Sequence, residues 1–148
     1  MFAYGQTAAN AIAVISYLAA DPSRRAGSGE IAAARGISQA LTAKLLTQLA
    51  AARLVTGQPG PGGGYTLAKN PAKISLLDVA SIFEQTDPPT ACAFGRDWCG
   101  KGDPCPLHDA VERLMTANHD FMKETRLSVF CGVPTRGPKS KRSPRPKN

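Results

Sequence analysis

The apolar positions between Thr7 and Ala20 fall at three- and four-residue steps: Ala8, Ala11, Ile12, Ile15, Leu18 and Ala19 form one stripe. That period predicts a first helix with one buried face, ended by "DPSRR". The stretch "GSGEIAAARG" predicts a second, short helix, with Ser28 as its cap, Glu30 in its first turn and Gly36 to stop it. Ile37 turns the chain inward, and Ser38 is a good N-cap for a third helix over "SQALTAKLLTQLAAARL". In it Leu41, Leu45 and Leu49 recur every four residues, while Gln39, Ala40, Ala43, Lys44 and Thr47 make a small or polar opposite face. Two short strand-like runs follow in "LVTGQPGPGGGYTLAK", around a loop of glycines and prolines. Tyr65 and Leu67 alternate with polar residues there, as a half-buried strand does. "ISLLDVASIFEQ" predicts a fourth amphipathic helix capped by Ser75. A long helix is expected from Pro106 to about Phe130. On it Leu107, Val111, Leu114, Phe121 and Ser128 fall on a heptad seam, with Asn118 and Thr125 as its polar members.

Two helices joined by a tight turn containing glycine are the core of a helix-turn-helix, whose second helix enters the major groove of DNA with its N-terminal residues foremost. A hairpin directly after the third helix makes this a winged helix-turn-helix. The predicted fold class is therefore mainly α with a small β wing, plus a long dimerisation helix. Gly60, Gly62, Gly63 and Gly64 permit positive φ and a close approach of the backbone to another surface such as phosphate. A nucleotide-binding loop is disfavoured, since no Lys-Ser/Thr follows and no helix opens there. The seam suits a second copy of the chain, so a homodimer is expected.

Length and charge change this picture only a little. With 148 residues the chain has enough to bury one core, so cysteines are not needed to rescue the fold. The formal net charge of +7 is concentrated at the end: "TRGPKSKRSPRPKN" holds six of the 18 Lys and Arg and no acid. The remaining 134 residues are nearly neutral, with 12 basic and 11 acidic residues, so net charge alone does not argue for DNA binding. The basic, proline-containing tail is expected to be disordered. No stretch approaches the roughly 20 apolar residues of a spanning helix, and no basic residue precedes "AIAVISYLAA" as in a secretory signal. The expected setting is the cytoplasm, with no membrane partner. The expected division is a winged helix-turn-helix over 1–86, a cysteine-rich loop over 87–105, a dimerisation helix over 106–131 and the basic tail over 132–148.

The candidate chemistry lies in "CAFGRDWCGKGDPCPLH", which holds three of the four cysteines and one of the two histidines. In a reducing compartment such clusters bind metal or sense redox state more often than they form bridges. Three thiolates and an imidazole suit tetrahedral zinc. Structural zinc favours tight paired knuckles, however, and only Cys105 and His108 are so spaced; longer irregular loops also suit an iron-sulfur cluster. Spacing leaves both open. Cys131 and His119 are weaker candidates. No carboxylate pair or Ser-His-Asp set marks an enzyme.

The order of helix, helix-turn-helix, a wing of the form G-P-G-G-G-Y-x-L, "ISLLDVASIFE", three cysteines and a long helix resembles the winged-helix iron-sulfur regulators of the Rrf-two type, over about residues 1 to 130. The resemblance implies a homodimeric transcription factor that binds a double-stranded DNA operator. It also implies an iron-sulfur cluster on Cys92, Cys99 and Cys105, sensing iron, oxidative stress or nitric oxide. His108 matches the histidine ligand of the IscR branch, which implies a 2Fe-2S centre, while a 4Fe-4S cluster on three cysteines is the other form within the family. No Asp or Glu precedes Asp21, so the N-terminal acid used by the nitric-oxide-sensing branch is missing. Pro59 stands where many relatives place a wing arginine, and Ala43 where the IscR branch carries a glutamate. The expected DNA contacts are Ser38, Gln39, Ala40 and Lys44 on the third helix and the backbone at Gly62 and Gly63 on the wing. The alternative is a winged-helix regulator with a structural zinc or redox-reactive cysteine site.

Overall fold

The computed structural model describes residues 4–84 and 106–135. Cys92, Cys99 and Cys105 lie outside the described residues, as does most of the basic tail.

Among the described residues, five α-helices and a hairpin follow in the order α1 (Gln6–Ala20), α2 (Ser28–Arg35), α3 (Gln39–Ala51), β1 (Val55–Gln58), β2 (Gly64–Leu67), α4 (Leu76–Ala80) and α5 (His108–Glu124). Short 3-10 helices at Pro71–Lys73 and Leu127–Phe130 complete the set. The fold is mainly helical with a two-stranded antiparallel wing.

The first helix is buried on more than one face. Val14 through Ala19 are all inaccessible, because α2, α3, α4 and the wing surround this end. Ile15 and Leu18 share one core with Ile31, Leu45, Leu49, Val79 and Met122. Each such side chain contributes about 1.5–3 kcal/mol by leaving water.

Second-helix placement depends on polar links to α1. The Tyr17 hydroxyl donates to Glu30 Oε1 at 2.6 Å, and Arg24 Nη2 reaches the same oxygen at 2.5 Å. At the other end of α2, Arg35 lies 5.5 Å over the Tyr17 ring and donates to Ser16 Oγ at 3.2 Å. Both ends of α2 are thereby tied to α1. Gly36 ends α2 in the left-handed conformation at φ +67, as expected. Ser28 is the first helical residue and not the cap. Gly27 occupies the cap position, because Ala26 is paired with Tyr65 and carries the extended backbone one residue further.

The wing pairs Val55 with Leu67 and Gln58 with Gly64. Its second strand does not alternate in burial as expected; all four residues are half-buried. Thr66, on the outward face, donates to the Pro22 carbonyl at 3.2 Å and is covered by the turn after α1.

The last helix is shorter than the sequence suggests. It ends at Glu124, where Thr125 turns extended at ψ 118. The backbone then pairs across to the approach of α4: Leu76 N–H donates to the Thr125 carbonyl at 3.0 Å and Leu127 N–H to the Ile74 carbonyl at 2.9 Å. Those bonds compete with further helix, so Ser128 lies off the seam, in the following 3-10 helix. Met122 and Leu127, not members of the seam, enter the core. Among the described residues no helix is long and apolar enough to cross a membrane.

Candidate nucleic-acid interface

The third helix is seated by its apolar side and leaves the opposite side open. Leu45, Leu46 and Leu49 are buried, and so is Thr42, whose hydroxyl donates to the Ser38 carbonyl at 3.0 Å. Thr42 was not singled out by the leucine period; back-bonding is what lets its polar oxygen enter the core. Ser38 Oγ accepts from the Leu41 N–H at 3.3 Å, which fixes the helix start and leaves the hydroxyl hydrogen to donate elsewhere. Ser38, Gln39, Ala40 and Lys44 are exposed, and Ala43 is half-buried between them. The four expected contact residues of this helix thus share one accessible surface at its N-terminal half. Thr47 is also exposed, but its hydroxyl is spent on the Ala43 carbonyl at 2.9 Å.

The wing tip is a compact turn. Gly63 N–H donates to the Gly60 carbonyl at 2.9 Å, and a Cβ at Gly63 would fall 2.1 Å from the Gln58 carbonyl oxygen. The close approach at Gly63 is therefore to the loop's own backbone. Gly62, with φ +73, is exposed, and a Cβ there would meet nothing within 4 Å. Arg25 donates through Nη1 to the Gln58 side-chain oxygen, at the end of β1 next to the wing's turn. Sequence reasoning missed this pair: 33 residues separate the partners and no local pattern links them.

In sequence, the segment that carries the three clustered cysteines falls between α4 and α5. His108 is the first residue of α5, half-exposed and shortly after the cysteine-rich segment in sequence. His119 is half-buried further along the same helix, and Cys131 is a free, exposed thiol beyond the last 3-10 helix. Among the described residues no three His, Cys, Asp or Glu side chains gather as a metal site. Glu84 lies at the start of α1, with Oε1 2.6 Å from where a Gly5 Cβ would stand. This brings a carboxylate to a helix N-terminus that has no acid of its own and no side-chain cap. The neighbouring Tyr4 is raised above the usual tyrosine range, first by burial and then by Glu84.

A profile described as Rrf2, iron-dependent transcriptional regulator, matches residues 4–132. The chain belongs to the Rrf2 family. Among Rrf2-type relatives, BadM of Rhodopseudomonas palustris, named as an HTH-type transcriptional regulator, is 46% identical over 69 residues, 47% of this chain and 44% of that protein. An HTH-type regulator of Aquifex aeolicus is 29% identical over 88% of this chain and 92% of its own length. IscR of Pectobacterium atrosepticum is 34% identical over 66% of this chain and 59% of its length. The matches thus span under two thirds of BadM and of this IscR. Solved structures agree in fold: CymR, the global cysteine regulator of B. subtilis, has a TM-score of 0.73 at 20% identity, covering 88% of this chain and 97% of that one. T. potens IscR has a TM-score of 0.65 at 20% identity, covering 84% and 82%. These relatives are named as transcriptional regulators.

Proposed function

We propose that the chain is a homodimeric regulator that binds a double-stranded DNA operator and reads iron, redox or nitric oxide status through an iron-sulfur cluster. The observation that carries the DNA-binding half is the exposed N-terminal half of α3, where Ser38, Gln39 and Lys44 stand free of the core beside a glycine-tipped wing. Lys44 contributes a phosphate contact, Ser38 and Gln39 offer donors to base edges, and Ala40 is small enough to let the helix approach. Gly62 exposes backbone at the tip of the wing.

The donor set fits a cluster. Cys92, Cys99 and Cys105 supply three soft thiolates, and His108, at the end of the same segment, supplies an imidazole, which favours 2Fe-2S over 4Fe-4S. When bound, such a cluster supplies a centre that oxidants, iron shortage or nitric oxide alter. Dimerisation is supported by Leu107, Leu114 and Phe121, which are 50%, 70% and 48% exposed along one side of α5.

The test is anaerobic purification followed by a visible spectrum and counts of iron, sulfide and zinc, with duplex selection from a random pool. Brown protein with matched iron and sulfide, bleached by Cys92→Ser and altered by His108→Ala, is the expected result. On the selected duplex, Lys44→Ala weakens binding and lowers the slope of log affinity on log salt by about one. The second reading, a zinc or redox-reactive thiol site, draws on the fold shared with a cysteine regulator and on the exposed thiol of Cys131. Colourless protein carrying one zinc would favour it.

A further inference from the structure

The wing is uncharged along its whole length: from Leu54 to Ala68 the chain has no lysine, arginine, aspartate or glutamate. A hairpin lying against a duplex gains affinity chiefly by neutralising phosphates, and this one has no cation of its own. The fold brings one to it. Ala26 pairs with Tyr65 through backbone bonds of 3.0 and 2.8 Å, which adds the turn after α1 as a third edge beside β2. By strand alternation Arg25 shares the face of Thr66, Gly64 and Gln58. Arg25 Nη1 donates to Gln58 Oε1, and Gly64, the register partner of Gln58, adds no side chain to that face.

The two arginines of this turn differ in what they hold. Arg24 is paired with the Glu30 carboxylate at 2.5 Å. Arg25 is exposed, meets only a neutral amide, and has no carboxylate partner among the described residues. A guanidinium has five N–H donors in a planar fork; one bond fixes its position and the others remain for an anion. The start of α2, into which this turn leads, lies near the N-terminus of α3: a Cβ at Gly29 would fall 3.4 Å from Gln39 Nε2.

We propose that Arg25, pinned by Gln58, is the phosphate contact of the wing, a cation lent to the hairpin by the turn that precedes α2. This rests on the DNA-binding reading above. The experiment measures affinity across a salt series, on the duplex selected by the wild-type protein, for Arg25→Met and Arg25→Lys, which differ mainly in charge. Losing one phosphate's counterion release weakens Arg25→Met by about eightfold at 0.1 M salt and makes its slope shallower by about one, while Arg25→Lys keeps the wild-type slope. Equal slopes for the Met and Lys variants overturn the contact, even if both melt early. Gln58→Ala, which frees the guanidinium without removing it, weakens binding about two- to threefold at unchanged slope, from the added cost of ordering the side chain. Wild-type affinity in that variant overturns the pinning. A wild-type protein that selects no duplex overturns the DNA-binding reading itself, a result distinct from a tight wild type indifferent to Arg25.

Discussion

Gly64 is the residue where the wing is hardest to alter. Its φ of +129 suits glycine alone, and a Cβ would lie 2.9 Å from the Ala26 carbonyl oxygen, the group that bonds Tyr65. Gly64→Ala is expected to cost about 1–3 kcal/mol in urea unfolding, with the loss falling on the pairing of the turn with β2. Glu30 makes a different prediction. It is held below the usual carboxylate range, first by the Tyr17 hydroxyl and also by Arg24, against the opposing effect of burial. Its folded pKa lies below its unfolded one, so the stabilisation is complete above the ordinary glutamate value of about 4.3 and is lost as pH falls through the folded value. Glu30→Gln should therefore lower the unfolding midpoint at neutral pH, with the difference from wild type closing in acid. A gap that is constant with pH would assign the effect to packing.

Among the elements, α4 shows how much a cap carries. With only five residues it has one turn, yet its start is fixed twice: Asp78 N–H donates to Ser75 Oγ at 3.0 Å and Ser75 N–H to Asp78 Oδ2 at 2.8 Å. Ser75→Ala is expected to cost about 1 kcal/mol in chemical unfolding, and a loss also seen in Asp78→Ala would identify the reciprocal pair as its source. The cap at Ser75 was legible in the sequence because it is written in neighbouring residues, but the helix it opens stops at Ala80, well short of the run "ISLLDVASIFEQ" over which a helix is expected. What was not legible joins distant residues. The end of α5 at Glu124 depends on Ile74 and Leu76 taking up the backbone of Thr125 and Leu127, and nothing near Thr125 announces it. Burial of Thr42 and the Arg25–Gln58 link were hidden for the same reason. The cysteine-rich segment is the reverse case: its donors are plain in the sequence, but their arrangement in space does not follow from spacing.

For the whole molecule, the proposed dimer makes a prediction at the exposed side of α5. Leu114→Glu together with Phe121→Glu should convert a two-chain species to a single chain in light scattering while leaving the melting of the common core largely intact, because Met122 and not the seam anchors the helix. Two chains persisting in that variant would move the dimer interface elsewhere. A dimer also doubles the recognition surface, so the same substitutions should weaken binding to a two-fold duplex far more than to a half-site.

Gly132 donates its N–H to the Ala20 carbonyl at 2.9 Å, closing the far end of α1, while Glu84 stands at its near end. The chain before the cysteine-rich segment and the chain after it thus hold opposite ends of one rod. Leu45 and Leu49 of α3 pack in the same core as Ile15 and Leu18 of that rod. If the proposed sensing and DNA-reading roles hold, α1 is the element that both flanks of the cysteine-rich segment and the reading helix have in common.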